Sequence, residues 1–262
     1  MSYPDRFLFS TGQWAAVLKR SPEALDRALK YREICKIANR YLVMHEVSCM
    51  AACMGLSNRW LVPPFLPVGR NEDGLFGAML SAIDPTAVSC HVPYAVLHNS
   101  SRPPRYAGSR FPSATETRTA DLMIALVHLW LRSANGVQPR RRLLRLGEWL
   151  RDLANLEIGA FVDVMTVTVL TTRERELTHI AAMVEPGGEW PTYWQQALRA
   201  YRRELVKNLS RPDFPQPIEF RATTRVTGWR DFRNFVRWSA DLLIAWPRVW
   251  QTAAQILRQP TD

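Results

Sequence analysis

Residues 63–77 read PPFLPVGRNEDGLFG, and residues 90–98 read CHVPYAVLH. Pro63, Pro64 and Pro67 lack N–H donors and fix φ, so Leu56 to Val68 is expected to be a loop with a short extended piece. The adjacent carboxylates Glu72 and Asp73 then fall at a helix start, where the positive end of the helix dipole favours them. From Asp73 to Ala82 the pattern is helical, with Leu75, Phe76, Met79, Leu80 and Ile83 on one face. Val88 to Leu97 alternates like a half-buried strand through Val88, Cys90, Val92, Tyr94 and Val96, and it leads to His98. The dipole is a sufficient structural reason for the acidic pair. A loop of glycine and proline can also present the two acids to a cleft, where acids and an imidazole support metal and acid–base chemistry.

Upstream, Ser10 and Gln13 have capping-box spacing, so a short helix is expected from Thr11. Ser21 and Pro22 suit an N-cap and first turn. The helix they open is expected to reach Met54 through Leu25, Leu29, Ile34, Ile37, Ala38 and Tyr41, with Gly55 as C-cap.

Downstream, Asn99 to Pro112 is a polar, proline-rich linker and a candidate boundary. Helices are expected from Ser113 and Glu116 to Ser133, and from Pro139 through Leu143, Leu146, Leu150 and Leu153. Helix is expected to continue through Phe161 to Leu170, although the β-branched run there weakens the pattern. Pro186, Gly187 and Gly188 make a turn. Trp190, Trp194, Leu198, Tyr201, Leu205 and Leu209 form a helical stripe. Within it, Trp194, Leu198, Tyr201 and Leu205 are expected to bury against Leu146, Leu150 or the final helix. That final helix, Trp229 to Leu257, should kink at Pro247. No internal repeat is present.

The chain has 262 residues, 47% hydrophobic and 22% charged, which indicates a globular protein. Its formal net charge is +10, and Arg makes up 30 of the 34 basic residues. The tight run Arg140, Arg141, Arg142 with Arg145 reads as a solvated helix start, with an anion or lipid contact as the alternative. Cys35, Cys49, Cys53 and Cys90 do not resemble a secreted disulfide framework, and buried free thiols in a reducing compartment are expected. The N-terminus has no secretory pattern. No apolar run reaches the roughly 20 residues of a membrane span; Ser239 to Val249 is broken by Asp241, Pro247 and Arg248. A cytoplasmic protein, peripheral at most to the inner membrane face, is the expectation. Hydrolase, Walker, dinucleotide and zinc-protease motifs are absent. His128 and His179, on apolar helical faces, are expected to be core or boundary histidines.

The segment Met54 to Asn99 resembles the later half of the catalytic domain of nucleotide-sugar glycosyltransferases with the GT-A fold (family-2-like). In that family a glycine-containing segment faces the acceptor, an acidic "xED" motif opens a helix, and a later histidine joins the metal site. The resemblance matches Gly55, Asn58 and Arg59 to the glycine loop and Asn71-Glu72-Asp73 to the acidic motif. It makes Asp73 the catalytic base with Glu72 beside it. Gly55, Asn58, Arg59 and Arg70 are then acceptor contacts, and His98 a metal ligand. The chain has no Asp-x-Asp pair, so the donor nucleotide sugar and its Mn or Mg ion are expected to need a separate N-terminal half. The implied fold is mainly α: a small α/β remnant of the glycosyltransferase domain over residues 1–105, then a helical region over 106–262. A different class of function fits the same composition, namely a non-enzymatic basic helical protein that meets anionic lipid or nucleic acid; of the two, nucleic acid is the less expected partner.

Overall fold

A computed structural model of the chain describes residues 8–10, 12–31, 40–45, 54–57, 60–94, 115–131, 138–185, 189–221 and 224–257. The protein is mainly α with one two-stranded antiparallel sheet. In order come α1 (Gly12–Leu18), α2 (Pro22–Tyr31), β1 (Leu42–Met44), α3 (Glu72–Ile83) and β2 (Ser89–His91). Then follow α4 (Thr119–Leu131), α5 (Pro139–Asn155), α6 (Ile158–Met183), α7 (Thr192–Leu209), a 3₁₀ turn (Ile218–Phe220) and α8 (Arg225–Ile256). Strands β1 and β2 pair with each other. Among the described residues no helix is long and apolar enough to cross a membrane.

The chain divides into two compact units, each discontinuous in sequence. The first comprises Met1–Leu42, His91–Thr117 and Leu170–Pro215; the second comprises Val43–Cys90, Arg118–Val169 and Gln216–Asp262. The boundary expected at residue 105 lies outside the described residues.

In the first unit, Trp194, Leu198, Tyr201 and Leu205 are buried on one face of α7. They join Leu8, Leu18, Leu25, Leu29, Ile180 and Met183 in one core. The expected burial of this stripe therefore holds, but its partners come from α1, α2 and α6, whereas Leu146 and Leu150 belong to the core of the second unit. Two polar tips are satisfied inside: Trp194 Nε1 donates to the Leu8 carbonyl at 3.0 Å, and Tyr201 Oη to Glu176 at 2.5 Å.

In the second unit, α5 packs along α8, and α3 packs on α4. Gly147 permits the first contact, since a Cβ there would lie 2.7 Å from Ile244 Cγ1 and 3.0 Å from the Ala240 carbonyl oxygen. Phe161, Trp229 and Phe232 pack edge-on or tilted in the same core.

Several local expectations are corrected. The helix from Ser21 does not run to Met54: among the described residues α2 spans Pro22–Tyr31, and Leu42–Met44 is a strand. Tyr41, Leu42, Val43 and Met44 are four apolar residues in succession, a run that does not keep the 3.6-residue period. The strand expected over Val88 to Leu97 shortens to Ser89–His91 among the described residues, and Pro93, without a donor, suits its end. Helix α4 opens at Thr119, where Glu219 accepts from the Thr119 backbone N–H at 3.0 Å and its hydroxyl at 2.9 Å; the carboxylate comes from a hundred residues away and not from Glu116.

The β-branched run in α6 is helical. Thr166 and Thr168 donate their hydroxyls to the Val162 and Val164 carbonyls, each at 2.8 Å, which satisfies the polar groups without leaving the helix. Helix α8 continues through the buried Pro247. Arg142 is buried, unlike its exposed neighbours Arg140, Arg141 and Arg145. Cys90 is exposed, contrary to the expected buried thiol; Cys35, Cys49 and Cys53 lie outside the described residues. His128 and His179 are both exposed.

Candidate functional site

The proline run does what its chemistry requires. Residues 61–68 form no regular element; Pro63, Pro64, Leu66 and Val68 are buried. Trp246 Nε1 donates to the Val62 carbonyl at 2.7 Å, and Phe65 stacks on Phe76 with ring centroids 4.1 Å apart. A tight turn then redirects the chain: Gly69 has φ 75° and Asn71 φ 72°. Both are residues that accept the left-handed region at small strain. Helix α3 starts immediately after, so Glu72 and Asp73 occupy its first turn as expected.

At this end of α3, Glu72 is exposed and Asp73 half-buried. Asp73 Oδ1 accepts the Gly74 backbone N–H at 2.9 Å. Asn71 Nδ2 donates to Asp121 Oδ1 on α4 at 3.4 Å. The carboxylates thus sit at the positive end of the α3 dipole, a favourable place for acidic side chains. A half-exposed carboxylate held this way can accept a proton from a hydroxyl brought to the helix end.

The opposite end of α3 explains how the first end is held. Leu75, Phe76, Met79, Ala82 and Ile83 are buried, and Arg142 Nε donates to the Ala82 carbonyl at 2.7 Å. The Arg142 guanidinium also lies over the Trp130 ring, 5.3 Å from its centroid. A cation at a helix C-terminus satisfies orphan carbonyls and complements the dipole. Burial pushes the Arg142 guanidinium below its ordinary value. No spacing in the sequence separates this arginine from its solvated neighbours, and the Asn71–Asp121 contact spans fifty residues; neither had a local signal.

Of the residues matched to the acceptor loop, Gly55 is exposed and Arg70 half-buried in the turn before α3. Asn58, Arg59 and His98 lie outside the described residues. The structure therefore brings Arg70, Asn71, Glu72, Asp73 and Asp121 to one helix end and leaves the histidine's part open. Glu72 and Asp73 supply the oxygen ligands that Mn or Mg prefers, but among the described residues no group of three or more His, Cys, Asp or Glu could hold a metal ion.

Two grooves lie elsewhere. One in the second unit, about 320 Å³, is lined by Leu61, Arg140, Pro247, Trp250 and Gln251. One in the first unit, about 450 Å³, is lined by Glu23, Leu25, Asp26, Leu29 and Tyr193. There the Tyr193 hydroxyl donates to the Leu18 carbonyl at 3.3 Å, and burial with the Glu23 charge raises its pKa. Neither groove contains the acidic pair. The chain matches no family model, no curated protein and no solved structure.

Proposed function

We propose that the protein is glycosyltransferase-related: the acceptor-side part of a nucleotide-sugar-dependent enzyme, with Asp73 as base and donor binding supplied by a separate half. The observation that carries this reading is the order β1, loop, α3, β2, in which two paired strands flank the acidic-pair helix in sequence. That sheet is bare. In β1, Leu42 is 41% exposed, Val43 69% and Met44 36%, and Tyr41 just before it is 65% exposed. A two-stranded sheet is marginal alone, and an uncovered strand is a template for further pairing. Such an exposed ribbon suits addition of strands from a donor-binding half. Mn or Mg with the nucleotide diphosphate would belong to that half, where it would neutralise the leaving group.

The test is amide hydrogen exchange on the purified chain, alone and with the product of an adjacent reading frame that encodes an Asp-x-Asp half. Protection should rise at Leu42–Met44 and Ser89–His91 on mixing. Unchanged exchange there, or micromolar binding of uridine diphosphate with Mn to the chain by itself, contradicts the proposal.

A further inference from the structure

The outward face of α7 stands apart from the other long helices. Arg199, Arg202, Arg203 and Lys207 are all exposed, with Gln196 and Val206 between them. The only carboxylate on the helix, Glu204, is half-buried and lies toward the flank. By contrast, α5 exposes Arg140, Arg141 and Arg145 together with Glu148 and Asp152, and α8 exposes Arg225, Arg230 and Arg248 together with Asp231 and Asp241. Mixed faces are the ordinary soluble surface; a face of one sign attracts an extended opposite charge. Near the helix end Arg211 is already engaged by Asp213 at 2.9 Å and 3.0 Å. Within the face, Arg199 donates to Gln195 Oε1 at 3.1 Å, which leaves its charge unneutralised.

We propose that this face binds an anionic lipid surface, lying flat on phosphate headgroups without inserting. The apolar side of α7 is committed to the core through Trp194, Leu198, Tyr201 and Leu205, so attraction must be electrostatic. From Arg199 to Lys207 the helix advances about 12 Å, a length over which four cations meet several headgroups. Arginine's planar donor fork suits phosphate oxygens. The face carries no exposed aromatic ring: Tyr193 is half-buried, and Trp190 packs on Trp194 at 4.9 Å. Single-stranded nucleic acid is ordinarily gripped by stacking on such rings, so the lipid surface is the better match. This contact is independent of the glycosyltransferase reading.

The test is co-sedimentation of the full chain with phosphatidylcholine vesicles, with and without phosphatidylserine. Binding should require phosphatidylserine and fade as the Debye length falls from about 10 Å at 0.1 M salt to about 3 Å at 1 M. Each cation near an anionic leaflet strengthens binding about fivefold, so Arg199→Gln, Arg202→Gln, Arg203→Gln and Lys207→Gln together should weaken it more than a hundredfold. A control with Arg141→Gln, Arg145→Gln, Arg230→Gln and Arg248→Gln removes the same net charge from other exposed positions and should retain most of the binding. Circular dichroism checks that both variants fold. Equal loss in both variants, no phosphatidylserine dependence, or binding to single-stranded oligonucleotide but not to vesicles overturns the proposal.

Discussion

Replacing Gly228 with alanine should unseat a chain of contacts in the second unit. A Cβ at this position would lie 1.9 Å from the Phe220 carbonyl oxygen and 2.1 Å from Gln216 Nε2. The carbonyl would have to retreat by about 1.5 Å to restore the 3.4 Å of ordinary contact. It belongs to the backbone of the Ile218–Phe220 turn and cannot rotate away as a flexible side chain could. Gln216 is buried and donates to the Arg225 carbonyl at 3.2 Å. Glu219, in the same turn, caps the start of α4 through Thr119 and pairs with Arg118 at 3.7 Å. Overpacking alone ordinarily costs about 1–3 kcal/mol, and a weakened buried hydrogen bond adds about 1 kcal/mol. Alanine's better helix propensity returns up to ~1 kcal/mol. The net expectation is a loss of roughly 1–4 kcal/mol, read as a lower urea midpoint at unchanged slope. A loss under ~0.5 kcal/mol, or a gain, would refute the packing described around the turn.

In the first unit, Leu198→Ala should cost about 2–5 kcal/mol, because the side chain is fully buried in the α7 core; a loss below ~1 kcal/mol by urea denaturation would show that the stripe does not pack as described. Arg142→Met should cost about 1.5–3 kcal/mol through loss of its charged hydrogen bond to the Ala82 carbonyl, while Arg141→Met, at an exposed position, should stay within about 0.5 kcal/mol of the parent. Equal effects of the two substitutions would contradict the helix-end role of Arg142.

The parts of the fold that were legible in the sequence are those set by local pattern. The α3 start, the proline run, the α7 stripe and the α5 face each follow from caps, missing donors or 3.6-residue spacing. The parts that were not legible depend on distant partners. Thr119 opens α4 because Glu219 reaches it, a contact that no capping spacing reveals. Arg142 is buried because α3 ends beside it, whereas its three neighbours face water. The threonines of α6 look strand-forming until their hydroxyls turn back onto the helix. At the candidate site, the sequence placed Glu72 and Asp73 correctly on a helix start, but a dipole alone could put them there. Asn71–Asp121, which ties the site to α4, had to be seen in three dimensions.

Sugar transfer by the reconstituted pair, with and without Asp73, tests the glycosyltransferase reading most directly. The chain, mixed with a donor-binding half from an adjacent reading frame, is assayed for release of nucleoside diphosphate from nucleotide sugars in the presence of acceptor. If Asp73 is the base, Asp73→Asn should lower kcat by about 10²–10⁴-fold, with helix content and assembly with the other half unchanged. Arg141→Gln, at an exposed position on α5, should have no effect. Turnover by the Asp73→Asn variant within about twofold of the parent would contradict the account, since a general base cannot be removed at so small a loss.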